Sequence, residues 1–259
     1  MKYIILVAGK ARRLEPLTHS LPKCLFKLDS ETTIIDRLVS QIKDSDKSAE
    51  IILVTGFKSE LVEKELEGRS VTLIYNPFYD VTNNIASLWF AKDHLEGNVV
   101  VISGDFVLSD ELVKQHLCSS IFQSQVLLDS SVHCDGDYNV STDGERVIVM
   151  GKNLEHYDGE WIGVNRIHHD DTALFKETLC RMIAEGRHNQ WHADVLSQMI
   201  FENDFVLDIQ MFQVLDGQIL TRLMICGRQS RLPPENTWLF LTKNVRNNRL
   251  HAVSYRKDR

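Results

Sequence analysis

Apolar positions in the first half of this chain follow two alternating periods. Residues 2–7 form a continuous apolar run, read as a buried strand, and a long loop follows. Over 33–43, Ile34, Ile35, Leu38, Val39 and Ile42 fall on one face of a helix. Residues 51–55 predict a strand ended by Gly56, 59–66 a helix and 71–75 a strand. A helix over 86–95, a strand over 99–103 and a helix over 111–117 complete the series. Alternation as βαβαβαβα is the pattern of a parallel sheet with helices on both faces.

Beyond about residue 124 the pattern changes. Residues 125–128 are apolar and short. Segments 138–141 and 146–149 flank Asp143-Gly144, a hairpin turn signal. Residues 161–167 read as a further strand, and 172–184 and 194–201 as helices. These predict a second half built on the sheet edge, where it could cover an acceptor. There is no internal repeat or low-complexity linker. In open parallel sheets, ligands sit beyond the carboxyl ends of the strands. Three loops fall there: the one after residue 7, the one after Tyr75, and Gly104-Asp105.

A length of 259 residues, 43% hydrophobic and 25% charged, suits one α/β domain or one with a small extra lobe. No apolar run is long enough to span a bilayer, and the opening is too short for a secretory h-region. Cys24, Cys118, Cys134, Cys180 and Cys226 are scattered, so they read as reduced thiols of a cytoplasmic protein rather than a zinc site. The net charge of −7 argues against nucleic acid as partner. Its distribution says more. Residues 1–28 hold six Lys/Arg and one acid, residues 29–210 hold 14 and 32, and residues 211–259 hold nine and three. The first basic cluster lies where a phosphate ligand would need it.

Four segments carry candidate chemistry. The first runs Leu6-Val7-Ala8-Gly9-Lys10-Ala11-Arg12-Arg13-Leu14-Glu15-Pro16-Leu17-Thr18, then Pro22-Lys23-Cys24-Leu25. A glycine lets backbone N–H groups approach a polyphosphate, and Arg13 and Lys23 can neutralise phosphate charge. The second is Tyr75-Asn76-Pro77-Phe78-Tyr79 with Thr82-Asn83-Asn84-Ile85-Ala86-Ser87-Leu88-Trp89. Asn84 and Ser87 offer the donors and acceptors that a pyrimidine edge requires, or they cap a helix. The third is Ser103-Gly104-Asp105 at a strand end, where a carboxylate suits a hard cation or merely makes a turn. The fourth is Val149-Met150-Gly151-Lys152 with Asp158-Gly159-Glu160-Trp161-Ile162-Gly163. His168-His169-Asp170-Asp171 is assigned no chemistry; Asp170 or Asp171 is expected to cap the next helix.

The first segment resembles the sugar-nucleotide nucleotidyltransferase pattern L-A-A-G-x-G-x-R-L-x-P-L-T-x-x-x-P-K-x-L. The second and fourth resemble the phosphocholine cytidylyltransferase-like members of that family. Val7 and Ala11 depart from the pattern, which has Ala and Gly there. The resemblance, over about residues 2–210, implies a Rossmann-like, mostly parallel α/β sheet of the GT-A-like nucleotidyltransferase fold. It implies CMP transfer from CTP to phosphocholine, giving CDP-choline and pyrophosphate. Arg13, Lys23 and Lys152 would be catalytic, and Ala8, Gly9, Lys10, Asn84, Ser87, Gly104 and Asp105 would hold nucleotide. Asp105 would bind Mg²⁺. Glu160, Trp161 and Trp191 would face the acceptor, a quaternary ammonium being favoured by aromatic faces and a nearby carboxylate. The family's W-Y-E-D stands here as Trp191-His192-Ala193-Asp194. The alternatives are transfer to 2-aminoethylphosphonate or a sugar 1-phosphate, or a catalytically impaired nucleotide-binding module. A homo-oligomer is left open.

Residues 211–259 stand apart as an atypical basic tail. The family ends in W-x-E-I-D-T-x-x-D-L-x-x-A, carrying a second metal aspartate, and no such run exists here. One choice of codons for residues 216–229, read from the third base, gives W-T-D-S-D-T-P-D-D-L-R-Q-A. The tail is therefore expected to be frameshifted, with a divergent extension as the alternative.

Overall fold

This computed structural model describes residues 1–12, 15, 18–130, 138–212, 219–222, 237–244 and 249–256, with the backbone alone from residue 212 onward. The expected elements form. Strands β1 (Lys2–Leu6), β2 (Glu50–Thr55), β3 (Thr72–Tyr75) and β4 (Val99–Ser103) alternate with helices α1 (Ile34–Ser45), α2 (Ser59–Glu65) and α3 (Asn84–Phe90). The short strand β5 (Phe106–Leu108) follows, then α4 (Asp110–Leu112), which widens into a π turn over Val113–Leu117. The Thr33 hydroxyl accepts from the Asp36 N–H and starts α1, and Asn83 does the same for α3 through the Asn84 N–H. Ile34, Ile35, Leu38, Val39 and Ile42 are all buried along α1. Each such side chain contributes roughly 1.5–3 kcal/mol over exposure.

The second half supplies β6 (Gln125–Asp129), the hairpin β7 (Asn139–Thr142) and β8 (Val147–Gly151), and β9 (Gly159–Ile167). Helices α5 (Thr172–Ala184) and α6 (Ala193–Asn203) and strand β10 (Asp208–Phe212) follow. The main sheet runs β10-β6-β9-β4-β1-β2-β3, with β1 to β4 parallel. Alternate strand residues feed two cores. Tyr3, Ile5, Leu53 and Ile102 face α1, α2 and α4, whereas Ile4, Leu6, Val54 and Val101 face α3, α5 and α6. Helices therefore cover both faces, as patterned.

The second half extends the sheet from its β4 edge, as patterned, with β9 lying between β4 and β6 and antiparallel to both. All nine of its residues are buried, which an interior position requires and an edge does not. It also bends. Val126 and Leu128 of β6 face Asn165 and Trp161, so two steps on one strand match four on the other. Gly163, at φ +81°, sits in this bulge, and a Cβ there would lie 2.7 Å from the Phe106 ring and 2.8 Å from the Ser103 Cβ. Past the bend β9 pairs with β7 in place of β4. Ser103, Gly104 and Asp105 therefore project beyond the last β4–β9 pair, which joins Ile102 to Val164.

Asp143 accepts from the backbone N–H groups of Glu145 and Arg146, closing the predicted turn with Gly144 at φ +109°. Strand β11 (Ile219–Arg222) pairs antiparallel with β5, and β12 (Thr237–Asn244) with β13 (Arg249–Arg256) forms a separate two-stranded ribbon. The remaining tail residues lie outside the described set. Among the described residues no helix is long and apolar enough to cross a membrane.

Candidate active site

The carboxyl ends of β1, β2, β3 and β4 meet where the first loop begins. That loop is stitched to its neighbours by backbone bonds: Val7 N–H to Val54 O, Phe57 N–H to Ala8 O, and Gly104 N–H to Leu6 O. Such spacing leaves no room for a Cβ at Gly104, which would lie 2.3 Å from Val7 Cγ1. Gly104, expected to contact nucleotide, thus has a packing role too. Gly9 is different: among the described residues nothing lies within 4 Å of where its Cβ would be, so the backbone there is open to a ligand. Ala11, which replaces the pattern's glycine, has φ +49°. A left-handed alanine costs about 1 kcal/mol that a glycine would not. Arg13 lies outside the described residues.

The three described basic side chains that line this loop each hold an acid. Lys10 Nζ is 2.8 Å from Asp80 Oδ1, and Arg12 donates to the same oxygen. Hydrogen bonds from Lys10 and Arg12 hold the Asp80 carboxyl below the usual range. Lys10 also lies over the Phe57 and Tyr79 rings, 5.8 and 5.6 Å from their centroids. Lys23 Nζ is 2.9 Å from Asp105 Oδ2. Asp105 Oδ1 is shielded from solvent and has no hydrogen-bond partner among the described residues. An unpartnered carboxylate oxygen beside a cationic loop fits a hard metal ion, which would draw its remaining ligands from phosphate and water.

Asp80 was missed by sequence reasoning because it is an ordinary loop acid inside a motif read for its asparagines. Its position yields a prediction. Asp80→Asn frees Lys10 and Arg12 and is expected to tighten nucleoside triphosphate binding roughly two- to five-fold at low salt, the range for an exposed pair. Calorimetry should show the gain shrinking towards one near ~0.5 M salt, where the Debye length is short. Unchanged or weaker binding by the variant would show that the pairing does not compete with nucleotide.

The asparagine motif spends its polar groups internally. Ser87 is buried, and its hydroxyl accepts from Asn76 Nδ2 at 3.0 Å. Asn84 Oδ1 accepts from the His192 N–H at 2.7 Å, tying α3 to the turn before α6. Further bonds run from Asn83 N–H to His188 O and from Ile85 N–H to Gln190 O. The structure places Asn84 in a clasp between the two halves of the molecule, and ties Ser87 to the loop after β3.

On the acceptor side, Lys152 Nζ lies 4.9 Å from the centroid of the half-buried Trp191 ring. Trp161, expected to face the acceptor, is instead a core residue 3% exposed, its indole N–H donating to Val164 O and Asn165 Oδ1. It packs behind Trp191, against Tyr138 and His192. Glu160 is also buried. Tyr138 donates to Asp194 Oδ1 at 2.6 Å and Asp194 Oδ2 accepts from the Trp191 N–H, which fixes Trp191 in place.

His168, His169 and Asp170 group their ligand atoms within 4.8 Å of one another. They follow the end of β9 that pairs with the start of β4, opposite Asp105. The expected side-chain cap by Asp170 or Asp171 is not made; Asp171 precedes α5, but its Oδ2 accepts from the Ser124 hydroxyl at 2.6 Å.

A glycine loop at a strand end, with lysines beside it and a carboxylate just past the adjacent strand, is the arrangement that the sequence led one to expect of a nucleotide-phosphate site. The MobA-like NTP transferase domain model matches residues 3–137, more than half of the chain, and the chain belongs to that family. Choline-phosphate cytidylyltransferase of Streptococcus pneumoniae is 32% identical over 124 residues, 48% of this chain and 53% of that protein. 2-Aminoethylphosphonate cytidylyltransferase of Lancefieldella rimae is 31% identical over 113 residues, 43% and 46% of the two chains. The chain thus spans about half the length of these curated relatives. A solved CTP:phosphocholine cytidylyltransferase from Streptococcus pneumoniae superposes with a TM-score of 0.68 at 20% identity, covering 82% of this chain and 90% of that one. That likeness establishes the nucleotidyltransferase fold.

Proposed function

We propose that this protein is a nucleotidyltransferase that moves CMP from CTP to a small phosphorylated acceptor, phosphocholine first among them. The observation that carries the reading is Asp105: a carboxylate just past the end of β4, paired with Lys23 and with one oxygen unpartnered among the described residues, beside the open Gly9 loop. Asp105 would hold Mg²⁺, which supplies positive charge to the triphosphate. Ala8, Gly9 and Lys10 receive the phosphates, with Arg13 and Lys23 offsetting charge as it accumulates on the departing pyrophosphate. An oxygen of the acceptor's phosphate, already ionised near neutral pH, attacks the α-phosphorus in line. The bond from that phosphorus to the bridging oxygen breaks, and pyrophosphate leaves. No side chain has to remove a proton, so positioning and charge carry the rate.

Lys152 is the group proposed to meet the acceptor's phosphate. The Trp191 face it covers is then released to a cationic head such as choline. With Trp161 in the core, Trp191 is the aromatic surface left for that role. The test is Mg²⁺-dependent pyrophosphate release by CTP, UTP and dTTP against phosphocholine, 2-aminoethylphosphonate and glucose 1-phosphate. Release with CTP and phosphocholine above the other pairs supports the reading. Release with a different acceptor reassigns it, and CTP binding without release from any pair marks a binding module.

A further inference from the structure

Four buried or half-buried polar groups form a line that ends at the lip of the site, and its direction can be deduced. The Trp161 indole N–H can only donate, and it does so to Asn165 Oδ1 at 2.9 Å. Asn165, with no exposed surface, must therefore turn its Nδ2 towards His192, whose Nδ1 lies 3.0 Å away. Nδ1 is then an acceptor, and the single proton of a neutral imidazole sits on Nε2. Burial holds this ring neutral, pushing its pKa down to about 3 despite the nearby Asp105 carboxylate. Nε2 is 3.3 Å from Ser103 Oγ and donates to it. The Ser103 hydroxyl proton is left over, with no acceptor among the described residues. Gly163 backs this serine: a Cβ there would lie 3.0 Å from Oγ. Ser103 is the last residue of β4, two before Asp105, beyond the point where β9 departs.

We propose that His192 is a positioning residue for the reaction. Through the relay Trp161–Asn165–His192 it holds the Ser103 hydroxyl as a directed donor to an anionic oxygen of the phosphates that meet beside Asp105. The inference rests on the nucleotidyltransferase reading above. A hydroxyl left to rotate would spend part of its time with a lone pair towards phosphate, which repels it. One that already accepts from Nε2 has its proton aimed elsewhere. The relay also links the two substrate sides, because the backbone of His192 is held by Asn84 and its neighbour Trp191 lies under Lys152.

The test uses two kinds of measurement on the full chain. Ring ¹⁵N NMR should find His192 neutral and protonated on Nε2, its signals assigned by their loss in His192→Gln. A proton on Nδ1 would overturn the relay whether or not the protein turns over. In kinetics, Ser103→Ala and His192→Asn are each expected to lower kcat on the order of 10-fold, with the KM for CTP within about two-fold. Their double variant should fall no further, because one interaction is lost in all three. His192→Gln places an amide N–H where Nε2 stood and should recover most of the rate, although both histidine variants lose similar thermal stability. If His192→Asn lowers melting temperature but not kcat, or if the double variant shows the product of the two losses, His192 is structural only. If the unmodified chain releases no pyrophosphate with any acceptor, the nucleotidyltransferase reading fails, and the NMR result still decides the relay.

Discussion

Asp105→Asn is expected to lower Mg²⁺-dependent pyrophosphate release by about 10³-fold, in the range seen when an electrostatic stabiliser is removed from a transferase or hydrolase site. The asparagine matches the carboxylate in shape, so Gly104 can keep its close approach to Val7. What disappears is the charge that pairs with Lys23 and the oxygen that lacks a partner. The Lys23–Asp105 pair is a single contact with an acid 43% exposed, so the melting temperature should move by no more than a few degrees. Metal-free CTP should bind at least as well as before, because Lys23 is set free. A variant that keeps more than a tenth of the parent rate, with its fold intact, would remove Asp105 from the reaction.

The second large effect concerns residues 211–259. We propose that this tail is read in a shifted frame, and that a chain restored to the alternative frame exceeds it in turnover by on the order of 10²-fold. A restored W-T-D-S-D-T run would bring a second carboxylate, and a hard cation bound by one protein carboxylate gains from another. Two observations support the proposal. The charge balance changes from 32 acids against 14 bases over residues 29–210 to three against nine over 211–259. Among the described residues, the strands β12 and β13 pair only with each other, in a ribbon outside the main sheet. An isolated pair of strands is marginal by itself. Sequencing the gene comes first: codons that cannot yield W-T-x-x-D-T in another frame end the proposal. If they can, equal rates from the two proteins would show that the run adds nothing to catalysis.

The sheet was legible because its central strands are pure apolar runs and its helices carry clean stripes, as in α1. The place of β9 was not, since G-E-W-I-G-V-N-R-I mixes polar and apolar residues in a strand buried throughout. Its Asn165, Arg166 and Glu160 look like surface residues until neighbours from other segments are known. The phosphate loop and Asp105 were readable because their chemistry is local: a glycine, nearby lysines, and a carboxylate at a strand end. Asp80 and His192 were not, because what they do depends on partners 70 and 89 residues away, Lys10 and Ser103. Trp161 was misplaced for a related reason. An aromatic residue beside a glutamate suits a cationic ligand, but the indole N–H was already satisfied by Asn165, four residues along the same bent strand.

The acids at the mouth of the phosphate site also bear on how a nucleotide arrives. Asp80 and Asp105 offset two of the three positive charges of Lys10, Arg12 and Lys23, in a molecule whose net charge is −7. Little positive field reaches past the lip, so long-range attraction of polyanions is weak. Capture then depends on random encounter, followed by exchange of one set of anionic partners for another. A protein built this way should run through a heparin column with little delay and remain unclogged by RNA in a crowded extract.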